Sequence, residues 1–284
     1  MADGAFGDWL GRVAVQTDRF AADPVIRLGA TLNRDWTHLD DGSELFPLAH
    51  WLHFLPREPM DALGPDGHAA RGGFLPAVDG LPRRMWAGSR LTFANPLRAG
   101  TQASRRSTVT SIQQKNGTSG PLLFVTVTHD ISDADGTPLL TDEHDIVYRG
   151  AARAGASNRA PDGGNAGNIR RSLVPDPVML FRYSALTFNG HRIHYDRSYV
   201  TCTEGYPGLV VHGPLIATLL LDHAMAAMPG ARPTRFSFRA RSPAFDGNEL
   251  TLHADQVAAD GTMVLRATNH DGGLVMNAEA GFAP

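Results

Sequence analysis

The chain has 284 residues, of which 42% are hydrophobic and 19% charged, and its formal net charge is −3. That length can bury a substantial core and suits two domains of ordinary size; the composition excludes a disordered chain, and the lack of concentrated basic sequence removes the electrostatic reason to expect nucleic-acid binding. Cys202 is the single cysteine, so neither an intrachain disulfide nor a thiolate metal cluster can be assembled, and it reads as a buried, inert thiol.

The longest apolar run, Leu215 to Leu221, is far shorter than the roughly 20 residues that cross a bilayer. The opening MADGAFGDWLGR lacks the basic flank and apolar stretch of a secretory signal. A cytoplasmic protein with no membrane partner is expected.

In chain order, Pro24 to Asn33 and Leu45 to Leu55 are the helix candidates of the first half. Leu91 to Phe93, Arg105 to Lys115, Leu122 to Asp130 and Asp142 to Tyr148 follow as strands, divided by turns at Asn116-Gly117 and Asp135-Gly136. The stretch Gly150 to Asn168 holds much Gly, Ala and Asn and almost no large apolar residue, the composition of a linker. It divides the chain into domains 1–150 and 171–284, joined through 151–170.

The second half opens on a short apolar run, Val178 to Phe181, and a polar cluster. Leu215, Ile216, Leu219, Leu220 and His223 then recur at helical spacing, with Pro214 at the start and Gly230 just past the end, which predicts a helix over Pro214 to Met228. Apolar residues on its remaining positions predict burial on all sides. Strands follow over Arg235 to Arg241, Glu249 to Val257, Thr262 to Asn269 and Leu274 to Phe282, separated by Gly-containing turns. A helix followed by an antiparallel meander, twice over, predicts an α+β double hotdog.

The polar cluster RYSALTFNGHRIHYDRSYV, Arg182 to Val200, crowds ionisable side chains directly before the buried helix. His191 and His194 are three apart and would share a face on a helical turn, which raises a metal site; no third ligand stands at a familiar spacing, so no metal is expected. Proton abstraction beside a thioester carbonyl, or activation of water for conjugate addition, needs a base with pKa near neutrality, and His194 fits that need. Gly213, before the Pro214 helix, could offer its N–H to a developing oxyanion; an ordinary turn residue is the alternative. The arginine pairs 83–84, 105–106 and 170–171 are either solvated surface or contacts for the phosphates of a carrier such as coenzyme A.

FRYSALTFNGHRIHYD followed by EGYPGLVVHGPLIATLLLD resembles the MaoC-like R-specific enoyl-thioester hydratases. The chain is closer still to the branch holding type 2 hydroxyacyl-thioester dehydratases and itaconyl-CoA and mesaconyl-C4-CoA hydratases, and DDGSELFPLAHWLHFLP, RGGFLPAVDGLPRRMWAGSRL and GPLLFVTVTHD extend that likeness over nearly the whole length. The resemblance implies hydration or dehydration of an acyl-CoA or acyl-carrier-protein thioester without a cofactor. It further implies a catalytically degenerate N-terminal hotdog shaping the acyl pocket, and either a sufficient fused pair of hotdogs or a homodimer.

The resemblance places the catalytic histidine at His194 and the following acidic residue at Asp196. Where the signature has its catalytic aspartate this chain has Asn189, and where it has Asn-Pro this chain has His191-Arg192. An amide is no base at neutral pH, so Asn189 is expected to position water, with Asp196 either orienting an imidazole or replacing the lost carboxylate. Arg192, His191, Tyr195 and His212 are the expected substrate contacts, and Arg192 could pair with a distal carboxylate on the acyl chain. A hotdog thioesterase and a non-catalytic acyl-thioester binder are the competing readings.

Overall fold

The protein is described from a computed structural model covering residues 6–117, 120–150, 160–164 and 167–283. Most of the expected linker, residues 151–159 together with 165 and 166, lies outside the described residues.

The first half contributes β1 (Val13–Arg19), α1 (Ala22–Leu32), β2 (Arg83–Phe93), β3 (Gln102–Gly117), β4 (Gly120–Asp133) and β5 (Pro138–Arg149). The second adds β6 (Ile169–Leu173), α2 (Pro177–Leu186), α3 (Arg197–Cys202), α4 (Gly213–Ala227), β7 (Pro233–Ala240), β8 (Leu250–Ala254), β9 (Thr262–Asn269) and β10 (Leu274–Phe282). The strands form one antiparallel sheet in the order β1-β3-β4-β5-β2-β7-β10-β9-β8-β6. Each half therefore contributes five neighbouring strands, and the two sets fuse along β2 and β7, from Gly88 opposite Arg239 to Thr92 opposite Arg235. Gly88 is required at this seam: a Cβ there would stand 2.3 Å from the Phe238 carbonyl oxygen.

Helix α4 realises the predicted all-round apolar pattern. Residues 215–224 are buried without interruption, and α4 packs across β7, β8, β9 and β10. Inward-facing Phe236, Leu252, Leu265 and Ala280 surround it. Asp222 on α4 is also buried, and Arg34, just past α1, grips it through Nε at 2.9 Å and Nη2 at 2.8 Å. Arg171 on β6 donates to the same carboxylate.

The first half differs from expectation. Its helix is α1, Ala22–Leu32, which overlaps the Pro24 to Asn33 candidate and starts two residues earlier, whereas Leu45 to Leu55 supplies a single 3-10 turn, Ala49–Leu52. Leu45, Phe46, Leu48 and Leu52 are still buried, so the segment plugs the core by apolarity without regular helix, and Phe54 at φ 52° turns the chain away. This core is partly polar. Asp142, fully buried, accepts from His50 Nε2 at 3.0 Å, Trp51 Nε1 at 2.9 Å and His144 Nε2 at 2.7 Å. The run Val178 to Phe181 is helical, inside α2: Asp176 caps it by accepting from the Met179 N–H at 2.7 Å, and Pro177 occupies the first turn.

Cys202 is exposed at the end of α3, not buried. No helix among the described residues is long and apolar enough to cross a membrane.

Candidate active site

The polar cluster begins in the last turns of α2 and continues as a loop carrying two short helical turns, Arg192–His194 and α3, before α4. The Asn189 side-chain oxygen accepts from the His191 N–H at 2.9 Å, and Arg192–His194 form a 3-10 turn. The turn is pinned to the strand-like segment before α4, where the Val210 N–H donates to the Ile193 carbonyl at 3.0 Å and His194 Nδ1 donates to the Val210 carbonyl at 2.7 Å. A carbonyl only accepts, so Nδ1 carries the proton and Nε2 is left with its lone pair.

His194 is buried, and its ring stacks on His212 with centroids 3.7 Å apart. His212 is the residue before α4 and bonds Ser184 Oγ through Nε2 at 2.8 Å. His191 stands edge-on to His194 at 5.4 Å. Burial, followed by the neighbouring His191, pushes His194 down to about 3; burial and His68 bring His191 down to about 3 as well. Burial holds His212 well below its ordinary value. Burial thus holds all three rings below the near-neutral range expected of His194, because the cationic form loses its hydration there.

Asp196 does not orient His194, whose Nδ1 belongs to Val210. Asp196 instead caps α3 by accepting from the Tyr199 N–H at 2.9 Å, and it receives Arg192 Nη2 at 2.8 Å. Arg192 also donates to the Pro65 carbonyl at 3.1 Å and lies 4.2 Å over the Tyr199 ring, so its fork is already engaged. Tyr195 is exposed and donates to the Gly190 carbonyl at 2.9 Å. Gly213 opens α4, where helix geometry gives its N–H no intrahelical acceptor, and a Cβ built on it meets nothing within 4 Å.

Two residues missed by the sequence reading come from the first half. The segment 65–68 docks on the cluster, with the Arg192 N–H donating to the Asp66 carbonyl at 2.9 Å. Gly67 and Gly190 meet so closely that a Cβ on Gly67 would lie 1.9 Å from the Gly190 oxygen. This places the His68 ring 4.0 Å from His191, with His68 Nδ1 3.2 Å from an Asp66 carboxylate oxygen. Burial would raise the Asp66 carboxyl, but the hydrogen bond and charge of His68 outweigh it and hold Asp66 below the usual carboxylate range. Ligand atoms of Asp66, His68 and His191 lie within 4.8 Å of one another, so the set that approaches metal-binding geometry is not the His191–His194 pair. The only sequence signal was an Asp-Gly-His turn far from the signature.

The arginine pairs are partly tied up internally. Arg83 binds Glu204 at 2.6 Å, Arg105 is half-buried and donates to Gln16 and the Phe54 carbonyl, and Arg171 holds Asp222. A groove of about 590 Å³ lined by Arg90, Lys115, Asp145 and Arg239 shares no residue with the histidine cluster.

Comparison with known proteins finds relatives whose likeness runs across both halves of the chain. A family profile described as hydroxyacyl-thioester dehydratase type 2 matches residues 48–246. The chain is 44% identical over 281 residues to a mesaconyl-C(4)-CoA hydratase of Chloroflexus aurantiacus, covering 93% of this chain and 97% of that protein. It is 45% identical over 82 residues to a mitochondrial hydroxyacyl-thioester dehydratase type 2 of Schizosaccharomyces pombe, covering 28% and 27%. Among solved structures, a MaoC-like dehydratase from Phytophthora capsici superposes with a TM-score of 0.69 at 17% identity over 96% of this chain and 95% of that one. A Mycobacterium tuberculosis protein described as a double hotdog superposes at 0.57 and 14% identity, covering 96% of each. The double hotdog fold is thereby established.

Proposed function

Because this chain belongs to the hydroxyacyl-thioester dehydratase type 2 family, we propose that His194 is the acid/base group with which it performs that family's chemistry. The chain is a hydratase/dehydratase of acyl-CoA thioesters, a carbon-oxygen lyase. The observation that carries the assignment is a buried imidazole with a fixed tautomer beside the open start of α4. His194 Nε2 accepts the proton of the adding water, Asn189 helps to position that water, and the Gly213 N–H with the α4 dipole meets the charge developing on the thioester oxygen.

The substrate we favour is a branched dicarboxylic enoyl-CoA of the mesaconyl-C4 kind, on the strength of the 44% identical relative. Arg192 is not assigned to its distal carboxylate, being held by Asp196 and the Pro65 carbonyl. His191 and Tyr195 are assigned to the approach, and His212, wholly buried, backs the His194 ring. Residues 1–150 shape the acyl pocket, 171–284 carry the signature, and 151–170 connect them. A cytoplasmic homodimer, or a monomer sufficient through its fused halves, completes the reading; light scattering and cell fractionation decide it.

The test is a panel of enoyl thioesters with and without a distal carboxylate, followed by mass spectrometry for the gain of one water. Hydration by the wild type and a loss of about 10²–10⁴-fold in folded His194→Ala are expected. Unchanged turnover in that variant refutes the assignment, and release of free thiol without hydration points to a thioesterase.

A further inference from the structure

Addition of water to an enoyl thioester moves a proton twice: one leaves the water, and one arrives at C2. His194 and His212 are buried and His191 is half-buried, no carboxylate among the described residues is hydrogen-bonded to any of these three rings, and Asn189 cannot carry a proton. The signature segment alone therefore lacks an anion able to stabilise the imidazolium on which the second transfer depends.

Among the described residues, the one carboxylate bonded to a ring of this cluster is Asp66, on His68. Both residues come from the half of the chain that lacks the signature. The segment is fixed in place from several directions: Asp66 accepts from the His68 N–H at 3.1 Å, its backbone carbonyl accepts from the Arg192 N–H, and Gly67 rests on Gly190. His68 is half-buried with its Nδ1 on Asp66, and among the described residues nothing is hydrogen-bonded to its Nε2. From His68 to His191 to His194 the ring centroids are spaced 4.0 and 5.4 Å.

We propose that Asp66 and His68 form the second acid/base pair of this active site, supplied by the N-terminal half in place of the carboxylate that Asn189 lacks. This rests on the hydratase reading above. The water oxygen forms the new bond at C3 as its proton passes to His194 Nε2, and the π pair of the double bond moves onto the thioester oxygen at Gly213. The enolate then takes a proton at C2 from the Nε2–H of the His68 imidazolium, whose Nδ1–H stays on Asp66. His191 returns the proton from His194 to His68, so one water is added and both rings are restored. Dehydration runs the same transfers backwards. His68 is the catalytic residue of the pair and Asp66 its positioning residue.

The experiment uses the full chain with the enoyl thioester that the wild type hydrates best. His68→Asn is expected to lower kcat about 10²–10⁴-fold while KM moves less than about threefold, with an unchanged melting temperature. Asp66→Asn keeps an acceptor for Nδ1 but loses the charge, and should lower kcat about tenfold or more with the same flat KM. If His68→Asn fails to fold, His68→Gln takes its place under the same criteria. A folded His68 variant with more than about a tenth of the wild-type kcat, or a loss confined to KM, overturns the pair. So does hydration that EDTA abolishes and Zn²⁺ restores, because Asp66, His68 and His191 would then be holding an ion rather than moving a proton. Absence of hydration by the wild type overturns the reading beneath it and the pair together; an active wild type with an active His68 variant overturns the pair alone.

Discussion

Acidification should destabilise this protein through His194 in a way that can be isolated. An imidazole has an ordinary pKa of about 6.5 in the unfolded chain, whereas burial pushes His194 down to about 3 in the folded one. The folded state thus binds fewer protons between these values. The stability contribution is fully present above pH 6.5 and is lost progressively as pH falls towards 3. Integrated from pH 7 to pH 5, where the unfolded ring gains its proton and the folded ring does not, the loss is about 2 kcal/mol. The assay is urea unfolding at both pH values for the wild type and for His194→Gln, which can still donate to the Val210 carbonyl but does not titrate. The wild type should lose about 2 kcal/mol more than the variant. Equal losses would show that His194 is not held neutral by burial.

Gly213→Ala separates an oxyanion donor from a turn residue. The new methyl meets no protein atom within 4 Å, and Gly213 is the first residue of α4, where alanine costs the helix nothing, so melting should hold while kcat/KM drops about tenfold or more as the methyl crowds the acyl oxygen. Unchanged kinetics would return Gly213 to a structural role. Leu219→Ala, at a fully buried position on α4, should cost about 2–5 kcal/mol in chemical denaturation. Asp142→Ala strips one acceptor from His50, Trp51 and His144 at once and should cost about 3 kcal/mol or more; a value under about 1 kcal/mol would mean that the cluster relaxes onto water. Asp222→Ala leaves Arg34 and Arg171 without their shared partner, and a drop in melting temperature with little change in KM would mark this carboxylate as structural.

The sequence by itself determined the elements whose cause is local. Helix α4 was legible because its apolar residues repeat at helical spacing between Pro214 and Gly230, and the four strands after it because Gly-containing turns punctuate short β-prone runs. The position of His194 before that helix was legible for the same reason, since the whole signature spans only a few turns of chain. Only the tertiary structure decided what His194 is paired with and how it is charged. Val210 lies 16 residues from it, and Arg192 bonds Pro65 across 127 residues; no periodicity encodes contacts made when separate segments close on one another. The helix of the first half went the same way, because an apolar segment such as Leu45 to Leu55 is buried equally well as a plug or as a helix. Proton affinity is decided later still: an imidazole takes its value from the water excluded around it and from the charges beside it, and neither exists until the two halves have met.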